Sequence, residues 1–310
     1  MGGAVRRPPS ARVARPQSSE MTARSVWRRL RIPLMLSGAL GVVVLLFGGG
    51  LLVGLSQSLG YFPVIGLDDW TLEHYAGVLT DSTFLDSLWL TFRLAFISTF
   101  VSAVLAVGLA LVLRQGFPGS AITKFIFQIP LPVPHLVAAS GLVLLLTQSG
   151  ILARIGAGLG LMDRPADFPP LVFDRPGIAI ILTFLWKEIP FIGLVVLAVL
   201  QSVGPQYEEV ARTLGANARQ RFFHVLLPLI MPGLVSTSII VFAFTFANYE
   251  IPLLLGVRSP TTLPVLAFHS YQDTNLALRP QAMAMSVILA VIAILLLASY
   301  RRLARYAVTR

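Results

Sequence analysis

The chain has 310 residues, of which 55% are hydrophobic and 12% charged, and its mean hydropathy is +0.78. Soluble domains carry about 25% charged residues, so this composition excludes an ordinary soluble enzyme and makes a bilayer the expected solvent. Cysteine is absent, which removes disulfide frameworks, thiolate zinc sites, iron–sulfur clusters and cysteine nucleophiles together. The formal charge of +10 would suit nucleic acid only if the basic residues formed a patch. They are scattered among connecting segments, so no nucleic acid partner is expected.

Residues 1–31 are rich in Arg, Pro and Ser, have no hydrophobic period and read as a disordered cytoplasmic tail. Arg28, Arg29 and Arg31 are placed to touch anionic lipid head groups. Residues 32–310 form the membrane domain, with apolar stretches at about 33–59, 88–113, 125–147, 178–203, 229–255 and 283–300. Each is long enough, or nearly so, to cross about 30 Å of hydrocarbon as a helix. The first has no charged residue between Arg31 and Asp68; it is too long for a signal-peptide core and reads as a retained span. Gly48–Gly50 within it are expected to allow close packing or a bend.

The first loop carries Trp70 and Tyr75 among acidic residues and is predicted to hold a short amphipathic helix on the outer surface. The third loop, with Gly156–Gly160 and Pro165, Pro169, Pro170 and Pro176, reads as irregular. Lys and Arg decide the orientation: eight precede the first span, two lie in loop two, three in loop four and four follow the last span. Loops one, three and five hold none, three and two. The positive-inside rule then places both termini in the cytoplasm.

Loop four is the informative connector, residues 206–228. Val210, Leu214, Phe222, Phe223 and Val225 recur between charged residues, which a connector needing only solubility would not keep. Tyr207–Leu214 is predicted to be a short helix with Glu208 and Glu209 in its first turn, where carboxylates favour the positive end of the helix dipole. Gly215 stops it in a left-handed conformation. A second helix over Asn217–Leu227 leads into Pro228. The product is an amphipathic helix, a bend and a helix, suited to a groove on another protein.

The segment Glu209-Val210-Ala211, three residues, Gly215, nine residues, Val225-Leu226-Leu227-Pro228 resembles the cytoplasmic signature of type I ABC importer permeases. In that family the signature reads Glu-Ala-Ala, three residues, Gly, nine residues, Ile-x-Leu-Pro; Val210 and Val225 are the two departures. The resemblance implies an all-α polytopic membrane protein of MetI-like fold, with six transmembrane helices and a cytoplasmic coupling helix. It implies that Glu208, Glu209, Val210, Ala211, Leu214, Gly215 and Pro228 form the element that docks on a separate ABC ATPase subunit. Glu209 would cap the helix or pair with a basic residue at that interface. The implied partners are ATPase subunits, an extracytoplasmic solute-binding protein and a second permease subunit, identical or homologous, within the lipid bilayer of the cell inner membrane. The chain would be a non-catalytic subunit without cofactor or metal, and it contains no G-x-x-x-x-G-K-[ST] phosphate loop of its own.

Charged residues inside spans cost about 2.5–3.5 kcal/mol on insertion scales and need a partner or a wet cavity. Arg93 is expected to snorkel or to pair with Asp86. Lys187 and Glu188 are adjacent, so they point about 100° apart on a helix and cannot both face one neighbour. Pro190 follows them, and Pro252 follows Asn248, Tyr249 and Glu250. Interrupted helices with polar groups suit a substrate route, so Glu188, Asn248, Tyr249 and Glu250 are candidate pathway residues; packing glue, with Lys187 neutralising a carboxylate, is the alternative. In Pro130-Leu-Pro-Val-Pro-His135 the prolines suit a helix entrance, and His135 is expected to be a hydrogen-bonded core residue. Residues 251–256, after Asn-Tyr-Glu, resemble the permease branch serving polyamines, iron and thiamine more than the sugar branch. Two carboxylates lean toward a cation, a polyamine first, with sulfate-type and phosphonate solutes open. A stand-alone proton-coupled transporter is the rival reading, opposed by the loop-four signature.

Overall fold

A computed structural model describes Pro33 and residues 35–308 of the backbone, with side chains to residue 299. The expected tail, residues 1–31, lies outside the described residues. Among the described residues there is no β-strand, only an isolated antiparallel bridge between Phe62 and Leu67. Six helices among the described residues are long and apolar enough to cross a membrane.

The chain divides into two units at Gly54 and Leu55. In the first, helix α1 (Met35–Ser58) begins and contains a π-helical turn at Val44–Gly48. A Cβ on Gly48, Gly49 or Gly50 would meet open space, so these glycines fill no close contact here.

In the second unit, α2 (Glu73–Thr80) is the helix expected in loop one. Tyr75 hydroxyl lies 2.7 Å from Ser58 Oγ, and Trp70 stacks on Tyr61 with ring centroids 5.1 Å apart. Helix α3 (Ser82–Leu113) opens with Asp81 accepting the Thr83 N–H at 2.8 Å, an N-cap that satisfies an otherwise orphaned donor. It is followed by α4 (Ser120–Gln128), α5 (His135–Leu146), α6 (Ile151–Gly158), α7 (Ile178–Val203), α8 (Gln206–Thr213), α9 (Ala218–Ala247), α10 (Glu250–Leu255), α11 (Leu263–Gln272) and α12 (Arg279–Val308).

Two expected spans are broken by non-helical residues. The stretch 125–147 is broken between α4 and α5, and the third apolar crossing runs over His135–Gly158, itself interrupted near Thr147–Gly150. Three prolines at 130, 132 and 134 lack the N–H that a helix needs, and each disfavours helix at the residue before it. The stretch 229–255 is likewise broken: α9 starts earlier, at Ala218, and stops at Ala247. The start of the stretch read as loop three is helical, α6, and belongs to the third crossing.

Helix α3 contributes to all three apolar clusters. Ala106, Ala110 and Leu113 pack with Ile192 and Val196 of α7 and Ile230 of α9. Leu90 and Leu94 meet Phe184 of α7, Ala139 of α5 and Leu255 of α10. Phe84 joins Leu263 of α11 and Met285 of α12. Its inward face reads Ser87, Thr91, Ala95, Ser98, Ser102, Ala106 and Ala110, all buried, at intervals of three or four that place them on one side. Small side chains let neighbouring helices approach closely, the usual basis of helix packing in membranes. The opposite side carries the stacked rings of Phe92, Phe96 and Phe100 at 6.1 Å spacing.

Gly150 shows how tight the turn between α5 and α6 is. A Cβ there would lie 2.7–2.9 Å from the carbonyl oxygens of Leu144, Leu145 and Thr147, backbone atoms that cannot swing aside. Gly150→Ala is expected to destabilise the folded protein by about 1–3 kcal/mol through overpacking, seen as a lower midpoint in detergent thermal unfolding. Gly158→Ala, where the Cβ meets nothing, should leave the midpoint near wild type.

Candidate functional site

Loop four forms the device its pattern predicts. Helix α8 carries Glu208 and Glu209 in its first turn, and Gly215 is left-handed at φ +83°. The Ala216 N–H donates to Ala211 O and the Gly215 N–H to Arg212 O, both at 3.0 Å, so the bend is a Schellman closure satisfying the last carbonyls. Asn217 then starts α9 with a capping box: it accepts from the Gln220 N–H, and Gln220 accepts from the Asn217 N–H, each at 2.9 Å. A π-turn at Phe222–Leu226 precedes Pro228, and the helix continues to Ala247 without ending at the proline.

Tyr207, Val210 and Leu214 are all exposed, Leu214 to 82%. At positions i, i+3 and i+7 they share one face. Glu209 is exposed too, and Ala211 is half-buried. Glu208 faces the other way: it forms an ion pair with Arg114 at the end of α3 and another, at 3.4 Å, with Arg221 of α9. Arg221 also donates to the bend carbonyl Ala216 O at 3.1 Å. Partial burial pushes the Glu208 carboxyl up, but the hydrogen bonds and charges of Arg114 and then Arg221 outweigh it and hold it below the usual carboxylate range. It is therefore ionised at neutral pH.

The second polar cluster lies within the spans. Lys187 Nζ donates to the carbonyls of Pro130 at 2.6 Å, Leu131 at 3.3 Å and Val133. An ammonium has three donors and no acceptor, and here they match three carbonyls that the proline run between α4 and α5 leaves outside any helix. Glu188, about 100° round α7, accepts from Thr245 Oγ1 of α9 at 2.5 Å, while its Oε2 is buried without a partner among the described residues. Both residues line a cavity of about 240 Å³ with Leu131, His135, Phe191, Ile240, Val241 and Phe244. His135 begins α5, half-buried at this cavity with its ring 4.7 Å from Phe244, so it is a cavity-lining residue and not the core residue expected. Asn248 Oδ1 accepts the Ile251 N–H at 3.1 Å and caps α10; Tyr249 stacks on Phe268 at 5.1 Å. Glu250 opens α10. Neither Asn248, Tyr249 nor Glu250 lines the cavity that Glu188 lines. Arg93 does not pair with Asp86; it donates to the carbonyls of Arg175 and Pro176 at 3.0 and 3.1 Å, closing the turn before α7.

The model of the family described as binding-protein-dependent transport system inner membrane component matches residues 98–310. The chain belongs to this family. The permease is 30% identical to the sulfate transport system permease protein CysW of Synechocystis sp., over 73% of this chain and 79% of that one. It is 27% identical to the putrescine transport system permease protein PotI of Escherichia coli, covering 71% and 72%. Among solved structures, a bacterial ABC transporter involved in the import of the acidic polysaccharide alginate has a chain that aligns with TM-score 0.73 at 20% identity, covering 91% of the permease and 99% of that chain. The fold is therefore the all-helical importer-permease fold, in a multi-pass membrane protein.

Sequence reasoning finds the bend of the permease but misses Arg114, Arg221 and Thr245 as partners of Glu208 and Glu188. Arg114 has no local signal, since its contact with Glu208 closes 94 residues of chain. The run of prolines opposite a mid-span lysine is the one available cue to the Lys187 contacts. Lys187→Met, similar in length without the charge, would leave those carbonyls unpaired at about 1–3 kcal/mol each. The expected result is faster proteolysis between α4 and α5 and a lower thermal midpoint, while Lys124→Met leaves both unchanged.

Proposed function

We propose that this permease forms half of the translocation pathway of an ABC importer, inserted with both termini in the cytoplasm. It works with a second permease subunit, two ATPase subunits that hydrolyse the ATP and an extracytoplasmic solute-binding protein. The membrane domain on this reading is residues 32–310, after a cytoplasmic tail. Helix α8, with Glu209, Val210, Ala211 and Leu214, is the coupling helix; Gly215 sets the bend and Pro228 the return into the membrane. The observation that carries the reading is the exposed apolar row Tyr207, Val210 and Leu214 on a helix held by a glycine closure. A helix lodged in a hydrophobic groove is read through such spaced anchors.

The solute is proposed to be small and charged, a polyamine first. Glu188 within α7, which runs unbroken through Pro190, and Glu250 at the start of α10 give the pathway carboxyl oxygens, one of them buried without a partner among the described residues, whereas the Lys187 ammonium is engaged by backbone carbonyls. The similarity to a sulfate permease favours an oxyanion as the second reading, since the binding protein sets selectivity together with the membrane site.

Reconstituted with its ATPase and binding protein, Leu214→Asp is expected to weaken ATPase association by at least about tenfold, the size of a lost interface anchor. Retention of full association would overturn the docking role of α8. Glu250→Gln is expected to slow putrescine uptake several-fold with the complex intact; unchanged kinetics would remove Glu250 from the pathway. Uptake of labelled sulfate without putrescine uptake would select the oxyanion.

A further inference from the structure

Helix α8 lies between two glycines of positive φ, Gly204 at +69° and Gly215 at +83°. A short helix hung on two such bends would swivel unless something outside it fixes its direction. Among the described residues, every side-chain hydrogen bond or ion pair from α8 to another helix runs through Glu208. One carboxylate oxygen meets Arg114, the residue that caps α3, and the other meets Arg221, near the start of α9. Arg221 in turn holds the Ala216 carbonyl of the bend. Glu208 is therefore shared by the helix, the bend and two membrane-spanning helices. The Tyr207, Val210 and Leu214 face points elsewhere, because consecutive residues turn by about 100°.

We propose that Glu208 is a positioning residue, a carboxylate strut that through Arg114 and Arg221 carries displacement of α8 into α3 and α9. The inference rests on the reading of α8 as the helix that docks on the ATPase. Partly exposed ion pairs contribute little to stability, so the consequence of this one is geometric. It makes a helix flanked by bends follow the end of α3, and α3 packs against α7, α9 and α11. Without the strut, the docking face survives but its movement is absorbed at Gly204 and Gly215.

The test uses the complete complex in proteoliposomes with permease variants Glu208→Gln, Arg114→Gln, both together, and Arg114→Lys. ATPase co-purification reads docking; binding-protein-stimulated ATP hydrolysis and uptake read coupling. Both single variants are expected to keep ATPase bound within about twofold and to lose about three- to tenfold in stimulation, the range for residues along a coupling route. The double variant should be no worse than the poorer single one, as when two residues serve one link. Arg114→Lys should recover most of the loss, which a folding defect would not do. Full stimulation in Arg114→Gln, or loss of ATPase binding in Glu208→Gln alone, would overturn the strut and make Glu208 a direct contact or an idle one. Failure of the docking reading is separate, since Leu214→Asp would then leave ATPase association intact.

Discussion

Hydrocarbon offers no hydrogen bonds, so every backbone group at membrane depth must be satisfied by the protein itself. The constraint is severest where a helix breaks, and the turn between α4 and α5 is such a place. Three prolines there stop helical bonding and leave the carbonyls of Pro130, Leu131 and Val133 facing α7. Lys187 answers with an ammonium whose donors meet all three. A charge that is expensive alone and carbonyls that are expensive alone become mutually satisfying. The break and the buried lysine explain each other, and together they fix α7 against the chain between α4 and α5. That arrangement sets one wall of the cavity beside Glu188.

The same constraint shapes α3. With lipid on one side and helices on the other, there is little hydrophobic gain in moving a leucine from one to the other, so close packing has to supply the association. The row from Ser87 to Ala110 does this with small side chains. Thr91 adds a specific contact: its Oγ1 donates to Ser87 O and accepts the Leu263 N–H at 2.8 Å, tying the start of α11 to α3. Leu263 is the first residue of α11, whose N–H has no partner within the helix. A threonine on a small-residue face thus serves as a cap for another element. Gly233 and Gly193 extend the close approach on α9 and α7, where a Cβ would press on Val199 and on Phe127.

The parts legible in the sequence are those whose cause is local. Apolar length gives six crossings; Glu208 and Glu209 before a glycine give α8; Gly215 gives the left-handed bend. Where the sequence reading goes astray, tertiary context or short-range proline chemistry overrides apolar length. The third crossing begins at His135 and not at Phe125 because Pro130, Pro132 and Pro134 outweigh hydropathy, and the fifth stops at Ala247 because Asn248 caps a separate helix. Pairings across many residues leave no local trace at all. Nothing near Glu208 indicates Arg114, and nothing near Glu188 indicates Thr245, so a carboxylate grouped with the docking residues turns inward while its neighbour Glu209 stays exposed.

This division also separates the polar groups that the fold consumes from those it leaves available. Lys187 is taken up by carbonyls and Asn248 by the start of α10, while Arg93 gives one guanidinium nitrogen to the turn before α7. Glu188 is only half engaged, with one oxygen on Thr245 and the other without a partner beside the cavity. The structural roles of its neighbours are what make Glu188 chemically distinct.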